Sequence, residues 1–317
     1  MSAVRRRMLP IGIENFKEIC SEDYYYVDKT AMIYELFLRR GKVNLFTQPR
    51  RSGKSLNMSM LRQFFEINSS QPLFKKLEIS KNLAFCNKHM GKYPVIYISL
   101  KGVKGADYCT SRSLMCSIIG NEAARFYQTF YESEKLNEIE RKQYECLIHI
   151  AAEGKGIFEM SDAVLMESLK KLSMLLEKHF GQKVILLIDE YDVPLETALG
   201  QGYYKDMLLL IRNLFEQTLK TNDSLYFAVL AGRSWLSQES IFEGLNNPKV
   251  FSADEHCNNS YFGFTDNEVK ALLYYYEMDD KYDLIRERYG GDQWKDTNIY
   301  CPGDVIGYVD KVLAHRK

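Results

Sequence analysis

A layered α/β fold around a mainly parallel sheet is predicted by three features of the sequence. Short apolar runs of strand character recur, with helical patterns between them, and two of the runs end in clusters of polar and charged residues. Strands buried on both faces read as near-continuous apolar runs, and strand–helix–strand alternation gives right-handed crossovers in a three-layer α/β/α sandwich.

Composition sets the class. A chain of 317 residues suffices for one large or two modest domains with real cores. Its net charge of zero argues against a surface devoted to nucleic acid, although local basic patches leave a nucleic-acid role open. The seven cysteines form no close C-x-x-C pair, so neither a zinc site nor a disulfide framework is indicated, and a reducing cytoplasm is expected. No apolar run reaches the ~18 residues of a membrane helix. Met1 to Arg7 is basic without the apolar stretch of a secretion signal, so no membrane partner is expected.

In chain order, residues 1–8 read as a disordered tail and 9–263 as the core. A helix is predicted over Ala31 to Arg39, with Asp28 or Thr30 as its cap and Arg39-Arg40-Gly41 as its stop. The first strand, Val43 to Thr47, runs through a turn into a helix whose Met58, Leu61, Phe64 and Phe65 face inward. Short irregular helices over 73–89 precede a second strand, Tyr93 to Leu100. A helical insertion, about 103–180, has a charged middle (Glu132 to Arg141) and an interruption at Gly154-Lys155-Gly156, and ends in the amphipathic Ser161 to Lys178. The third strand, Lys183 to Asp189, is followed by a helix over Tyr203 to Lys220. The fourth, Ser224 to Gly232, is followed by a fifth at Val250 to Ser252. Residues 264–317 read as a small helical lobe.

Chemistry concentrates at two strand ends. Pro49-Arg50-Arg51-Ser52-Gly53-Lys54-Ser55-Leu56 reads as a phosphate-binding loop: Gly53 lets the backbone approach a polyphosphate, N–H groups at the helix entrance point at it, Lys54 supplies charge, and Ser55 is placed to hold Mg²⁺. Gln48 stands where the usual pattern opens with glycine, and Gly-Lys-Ser alone also occurs at ordinary solvated helix starts. The acidic end of the third strand, Asp189-Glu190, supplies the independent support, because burying such acids calls for a cation or partner. Both tips are expected to come from neighbouring strands and to face one triphosphate-sized gap.

These residues, with Tyr26 to Thr30, Leu187 to Leu195, Glu239 to Asn247 and Tyr261 to Thr265, resemble the bacterial AAA-ATPase-like P-loop family. The resemblance runs from about Leu9 to Tyr308, and the family's loop commonly lacks the leading glycine. It implies a P-loop NTPase of the class with an extra sheet strand and a catalytic glutamate. Lys54 would stabilise the outer phosphates, Ser55 and Asp189 would hold Mg²⁺ in the Walker A and Walker B roles, and Glu190 would orient the attacking water. Tyr26 and Asp28 would lie near adenine, unless the tyrosines simply pack on the core. Arg50 and Arg51 would touch phosphate, act across a subunit boundary, or pair with nearby acids.

Relatives often carry a C-terminal nuclease-like domain of the PD-(D/E)XK type, and no D…[DE]-x-K set stands in for it here, so the lobe is expected to be truncated. The family's arginine after the fourth strand aligns with Trp235, whereas this chain has Arg233 two residues earlier. Two further tryptophan positions of relatives are Arg288 and Gly303 here, which predicts a loosely held lobe or one altered for a different contact. Two readings follow: an Mg²⁺-dependent ATPase coupled to a conformational or assembly change, or a nucleotide-responsive scaffold with little turnover. A homo-oligomer or an effector protein is the expected partner beside ATP.

Overall fold

A computed structural model of the chain describes residues 6–69, 71–152, 156–233, 241–242, 248–252, 261–290 and 298–315. Five strands form the central sheet: β1 (Val43–Thr47), β2 (Val95–Ser99), β3 (Val184–Asp189), β4 (Leu225–Gly232) and β5 (Lys249–Ser252). Their order is β2-β3-β4-β1-β5, and every pairing is parallel. All carboxyl ends therefore lie along one edge.

Alternation along the strands divides the core between the two faces. One face carries Leu45, Ile96, Ile98, Leu186, Ile188 and Leu230 and is covered by α5 (Tyr108–Ala124), α6 (Tyr127–Tyr131), α7 (Glu138–Leu147), α8 (Asp162–Phe180), α9 (Val193–Gln201) and α10 (Tyr204–Phe215). The opposite face carries Phe46, Val95, Ile185, Leu187, Phe227 and Val229 under α1 (Phe16–Ser21), α2 (Ala31–Arg39), α3 (Lys54–Phe65) and α4 (Leu83–His89). This is the three-layer α/β/α arrangement. Within the insertion the interruption is wider than Gly154-Lys155-Gly156: helix stops at Leu147 and resumes at Asp162, with an antiparallel bridge between Ile150 and Phe158. Of that tripeptide only Gly156 lies within the described residues.

The segment after 260 is not purely helical. β6 (Phe264–Thr265) pairs antiparallel with β7 (Ile299–Tyr300), and α11 (Asp266–Tyr275), α12 (Tyr282–Tyr289) and α13 (Pro302–His315) pack around them. Thr265 and Glu268 form a capping box at the start of α11, which satisfies two orphan N–H groups and fixes the strand-to-helix corner. Phe264, Leu272, Leu273, Tyr276, Ile285, Tyr300 and Val305 make a third core of their own, against which Leu9, Tyr25 and Val27 pack. The lobe is thus well packed rather than loosely held. Residues 6–8, read as part of a tail, are tied to it: Tyr276 Oη donates to Arg7 O at 2.9 Å, and Arg7 N donates to Tyr275 Oη at 2.9 Å. Tyr25 N donates to Met8 O at 2.9 Å.

Candidate functional site

The two chemistry-bearing tips share one edge of the sheet, but they are not on neighbouring strands as the sequence reading supposed. β4 lies between β1 and β3, with Thr47 level with Gly232 and Ala231 level with Asp189. Two interstrand spacings separate the tips by about 10 Å. The intervening strand delivers Arg233 into that interval. Gly232 is required there, because a Cβ would meet Tyr191 Cε1 at 2.6 Å.

The loop between β1 and α3 is wound tightly. Arg51 (φ 61°) and Gly53 (φ 91°) both take left-handed conformations, which reverses the chain into the helix. Gly53 is the helix cap and offers no side chain, so the entrance N–H groups stay open toward a ligand. Lys54 is 4 % exposed and folds back on its own loop, donating to Gln48 O at 2.9 Å and Pro49 O at 2.8 Å. Burial holds its ammonium below the usual lysine range, opposed by the nearby Glu190, Asp189 and Asp192 carboxylates. Gln48 Nε2 and Ser52 Oγ are buried and make no hydrogen bond among the described residues. Unsatisfied polar atoms are costly in a packed interior, and they sit where a ligand would supply partners.

At the acidic tip Asp189 is 2 % exposed, and burial pushes its pKa up to about 6, a rise that the neighbouring Ser55 hydroxyl opposes. Glu190 adds like charge beside it, and Lys54 partly offsets this. Glu190 has φ 52°, a left-handed backbone unusual for a residue with a side chain. Its carboxylate faces Arg233 Nε at 3.7 Å, while Arg233 Nη2 lies 2.7 Å from Glu196 Oε2. Asp192 receives the Arg233 backbone N–H at 2.7 Å on Oδ2 and makes no side-chain cap to α9.

Two adjoining hollows meet at this loop. One, of about 770 Å³, is lined by Gly12, Glu14, Arg51, Lys54, Ser55, Glu190 and Gly303. The other, of about 490 Å³, is lined by Tyr25, Tyr26, Val27, Lys29, Ser52, Tyr261 and Phe264. Pro10, Ile19, Gly53, Leu56, Pro302 and Ile306 border both, so the two hollows lie side by side and form the two halves of the candidate cleft.

The structure therefore gathers Ser52, Gly53, Lys54, Ser55, Leu56, Arg51, Tyr26 and Glu190 around the cleft, with Asp189 behind Ser55. Asp28 stands apart: its carboxylate accepts from Thr30 N and Oγ1 and from Glu78 N, so it fixes the start of α2. Pro49 and Arg50 are exposed and do not border the cleft. Trp235 lies outside the described residues, as does most of Glu239 to Asn247. Sequence reasoning missed Glu14, Glu196 and the wall formed by Pro302, Gly303 and Ile306, because no local pattern links them to the loop. Residues flanking that wall and β6 touch the loop directly: Cys301 Sγ donates to Arg51 O at 3.4 Å and Gly263 N donates to Ser52 O at 3.2 Å.

No cluster of three or more His, Cys, Asp or Glu side chains able to hold a metal occurs among the described residues, and no described helix is long and apolar enough to cross a membrane.

An uncharacterized protein encoded in the vnfD 5′ region of Azotobacter chroococcum mcd 1 is 28 % identical over 306 residues, which is 95 % of this chain and 51 % of that protein. The chain thus spans about half the length of that relative. No solved structure matches. A family model described as Predicted AAA-ATPase matches residues 10–242, from the first wall of the cleft past the end of β4. By that match the chain belongs to the predicted AAA-ATPase family.

Proposed function

We propose that the chain binds ATP with Mg²⁺ across the two adjoining hollows and hydrolyses it. The observation that carries this reading is the buried Asp189 carboxylate beside Ser55, with Lys54, Ser55 and Glu190 lining the same hollow. A lysine, a hydroxyl–carboxylate pair and a second carboxylate are the set that phosphoryl transfer uses, since its transition state asks mainly for positioning and charge neutralisation.

Ser55 and Asp189 are hard oxygen donors suited to Mg²⁺, which takes few protein ligands and keeps waters and phosphate oxygens for the rest. When bound, the ion would neutralise phosphate charge. Lys54 must release the Gln48 and Pro49 carbonyls to reach the outer phosphates, and the orphaned Ser52 Oγ then gains an acceptor. Glu190 orients a water toward the γ-phosphorus and accepts its proton as the bond to the leaving ADP breaks. The apolar hollow around Tyr25, Tyr26 and Phe264 takes the base. Because Pro302 and Ile306 border both hollows, occupancy bears on the lobe, and this is the route to a conformational or assembly change. Six free cysteines among the described residues fit a reducing, cytoplasmic setting.

Steady-state phosphate release and MgATP titration test this. Lys54→Ala is expected to lose binding by about 100-fold or more, and Glu190→Gln to retain binding while losing about 10²–10³-fold in kcat. Unchanged phosphate release in Glu190→Gln overturns the hydrolytic reading. The folded-back lysine favours a second reading, a nucleotide-responsive scaffold, and tight ATP binding with background turnover in the wild type selects it.

A further inference from the structure

We propose that Arg233 is the positioning residue for Glu190: anchored by Glu196, it holds the water-orienting carboxylate in its left-handed backbone geometry. The inference rests on the hydrolytic reading above and adds two residues, Arg233 and Glu196, to it.

Three contacts converge on one short turn. The Arg233 backbone N–H donates to Asp192 Oδ2 at 2.7 Å, its Nη2 lies 2.7 Å from Glu196 Oε2, and its Nε faces Glu190 Oε2 at 3.7 Å. The acceptors at 190, 192 and 196 span the corner from β3 into α9, so a single arginine ties the tip of β4 to the segment that carries Glu190. That segment needs tying. Glu190 has φ 52°, and a residue with a Cβ stays in such a sparsely populated region only where its surroundings over-determine it.

The unequal distances assign different parts to the two glutamates. At 2.7 Å, Glu196 fixes the planar guanidinium from the half-exposed side of the turn, where its own side chain is 40 % exposed. At 3.7 Å, Glu190 feels the charge without a hydrogen bond, and Arg233 Nε is buried with no hydrogen-bond acceptor among the described residues. The Glu190 oxygens are therefore steered by Arg233 but not consumed by it, which leaves them able to accept a hydrogen bond from water. An arginine that closed fully on Glu190 would compete with that water.

The test measures ATP turnover and MgATP affinity for the wild type, Arg233→Ala, Arg233→Lys, Glu196→Gln and the double variant Arg233→Ala/Glu196→Gln. Ligand-free crystal structures of the wild type and Arg233→Ala accompany them. Arg233→Ala is expected to lower kcat about 10–100-fold with KM for ATP within about threefold, and Arg233→Lys to recover part of the loss. Glu196→Gln should lower kcat by about threefold, and the double variant should be no worse than Arg233→Ala, since both act through one guanidinium. In ligand-free Arg233→Ala, Glu190 should leave the positive-φ region.

Affinity that falls in step with kcat overturns the proposal by putting Arg233 on the phosphate, and a faster Arg233→Ala overturns it by making the arginine a brake. If the wild type shows no turnover, the hydrolytic reading fails by itself. The Arg233→Ala structure then decides the positioning role: a shifted Glu190 supports it and an unmoved one ends it. Should Arg233→Ala not fold, Glu196→Gln, altered at a half-exposed side chain, carries the test, and an unchanged kcat there overturns it.

Discussion

The body of α3 and its entrance obey opposite rules although they share one helix. From Met58 onward the helix is core: Met58, Met60, Leu61, Phe64 and Phe65 are all fully buried, and the Phe64 ring meets Phe65, Phe74 and Phe85 at 5.0, 5.4 and 5.7 Å. At the entrance, one turn away, sit a buried ammonium bonded to carbonyls of its own loop, two buried polar atoms with no hydrogen-bond partner among the described residues, and two left-handed residues. The contrast teaches where the stability resides. Aromatic packing in the body holds rigid a strained tip that would not persist alone.

The comparison can be broken most forcefully in the body. Phe64→Ala is expected to lower unfolding free energy by about 3–5 kcal/mol in urea titrations, while the fraction that remains folded binds MgATP with unchanged affinity. A large affinity loss in the folded fraction would mean that body and entrance are not separable.

At the acidic tip the expected effect is smaller and opposite in sign. Burial raises the Asp189 pKa from 3.8 to about 6, so between those values the folded chain holds a proton that the unfolded chain releases. Stability from this group is present below about pH 4 and is lost as pH rises through about 6. Asp189→Asn is therefore expected to stabilise the ligand-free protein by about 1–3 kcal/mol at pH 8, with the gain vanishing below about pH 4, while Mg²⁺-dependent turnover is lost. Thermal unfolding across that pH range checks it. A neutral or destabilising result at pH 8 would show that the tip is not desolvated.

The smallest effect belongs to the lobe contact. A Cβ at Gly303 would lie 3.0 Å from Arg51 Cβ and 3.1 Å from its Cδ; the Cδ can turn away but the Cβ moves only with its backbone, so Gly303→Ala asks the loop to give by a few tenths of an ångström while improving helix propensity at the start of α13. Stability should change by less than about 1 kcal/mol. A larger loss would show that Arg51 cannot move without disturbing the phosphate loop.

Much of the architecture was legible because its signals are local. All five strands of the main sheet announce themselves as apolar runs, and Leu165, Leu169, Leu172 and Leu176 fall on the buried face of α8 as their spacing requires. Lys54, Ser55, Asp189 and Glu190 were readable because glycine, lysine and paired acids at strand ends are rare combinations with a specific cost of burial. The β6–β7 pair was not, since two-residue strands carry no periodicity and Phe264 and Tyr300 are 36 positions apart. Asp28 misled because its neighbours suggested a ligand, whereas its partners, Thr30 and Glu78, are decided by how the chain folds back.

Composition and periodicity by themselves determined the class of fold, the number of main strands and the residue types able to handle phosphate, because each depends on groups within a few positions of one another. Strand order was left to the tertiary structure. Only the assembled sheet decides that β4 stands between the two tips and brings Arg233 to Glu190, and only chain return over some 250 residues brings Pro302 and Ile306 against Gly53. Such contacts are set by packing across the whole core, and no short window of sequence contains the competition that packing resolves.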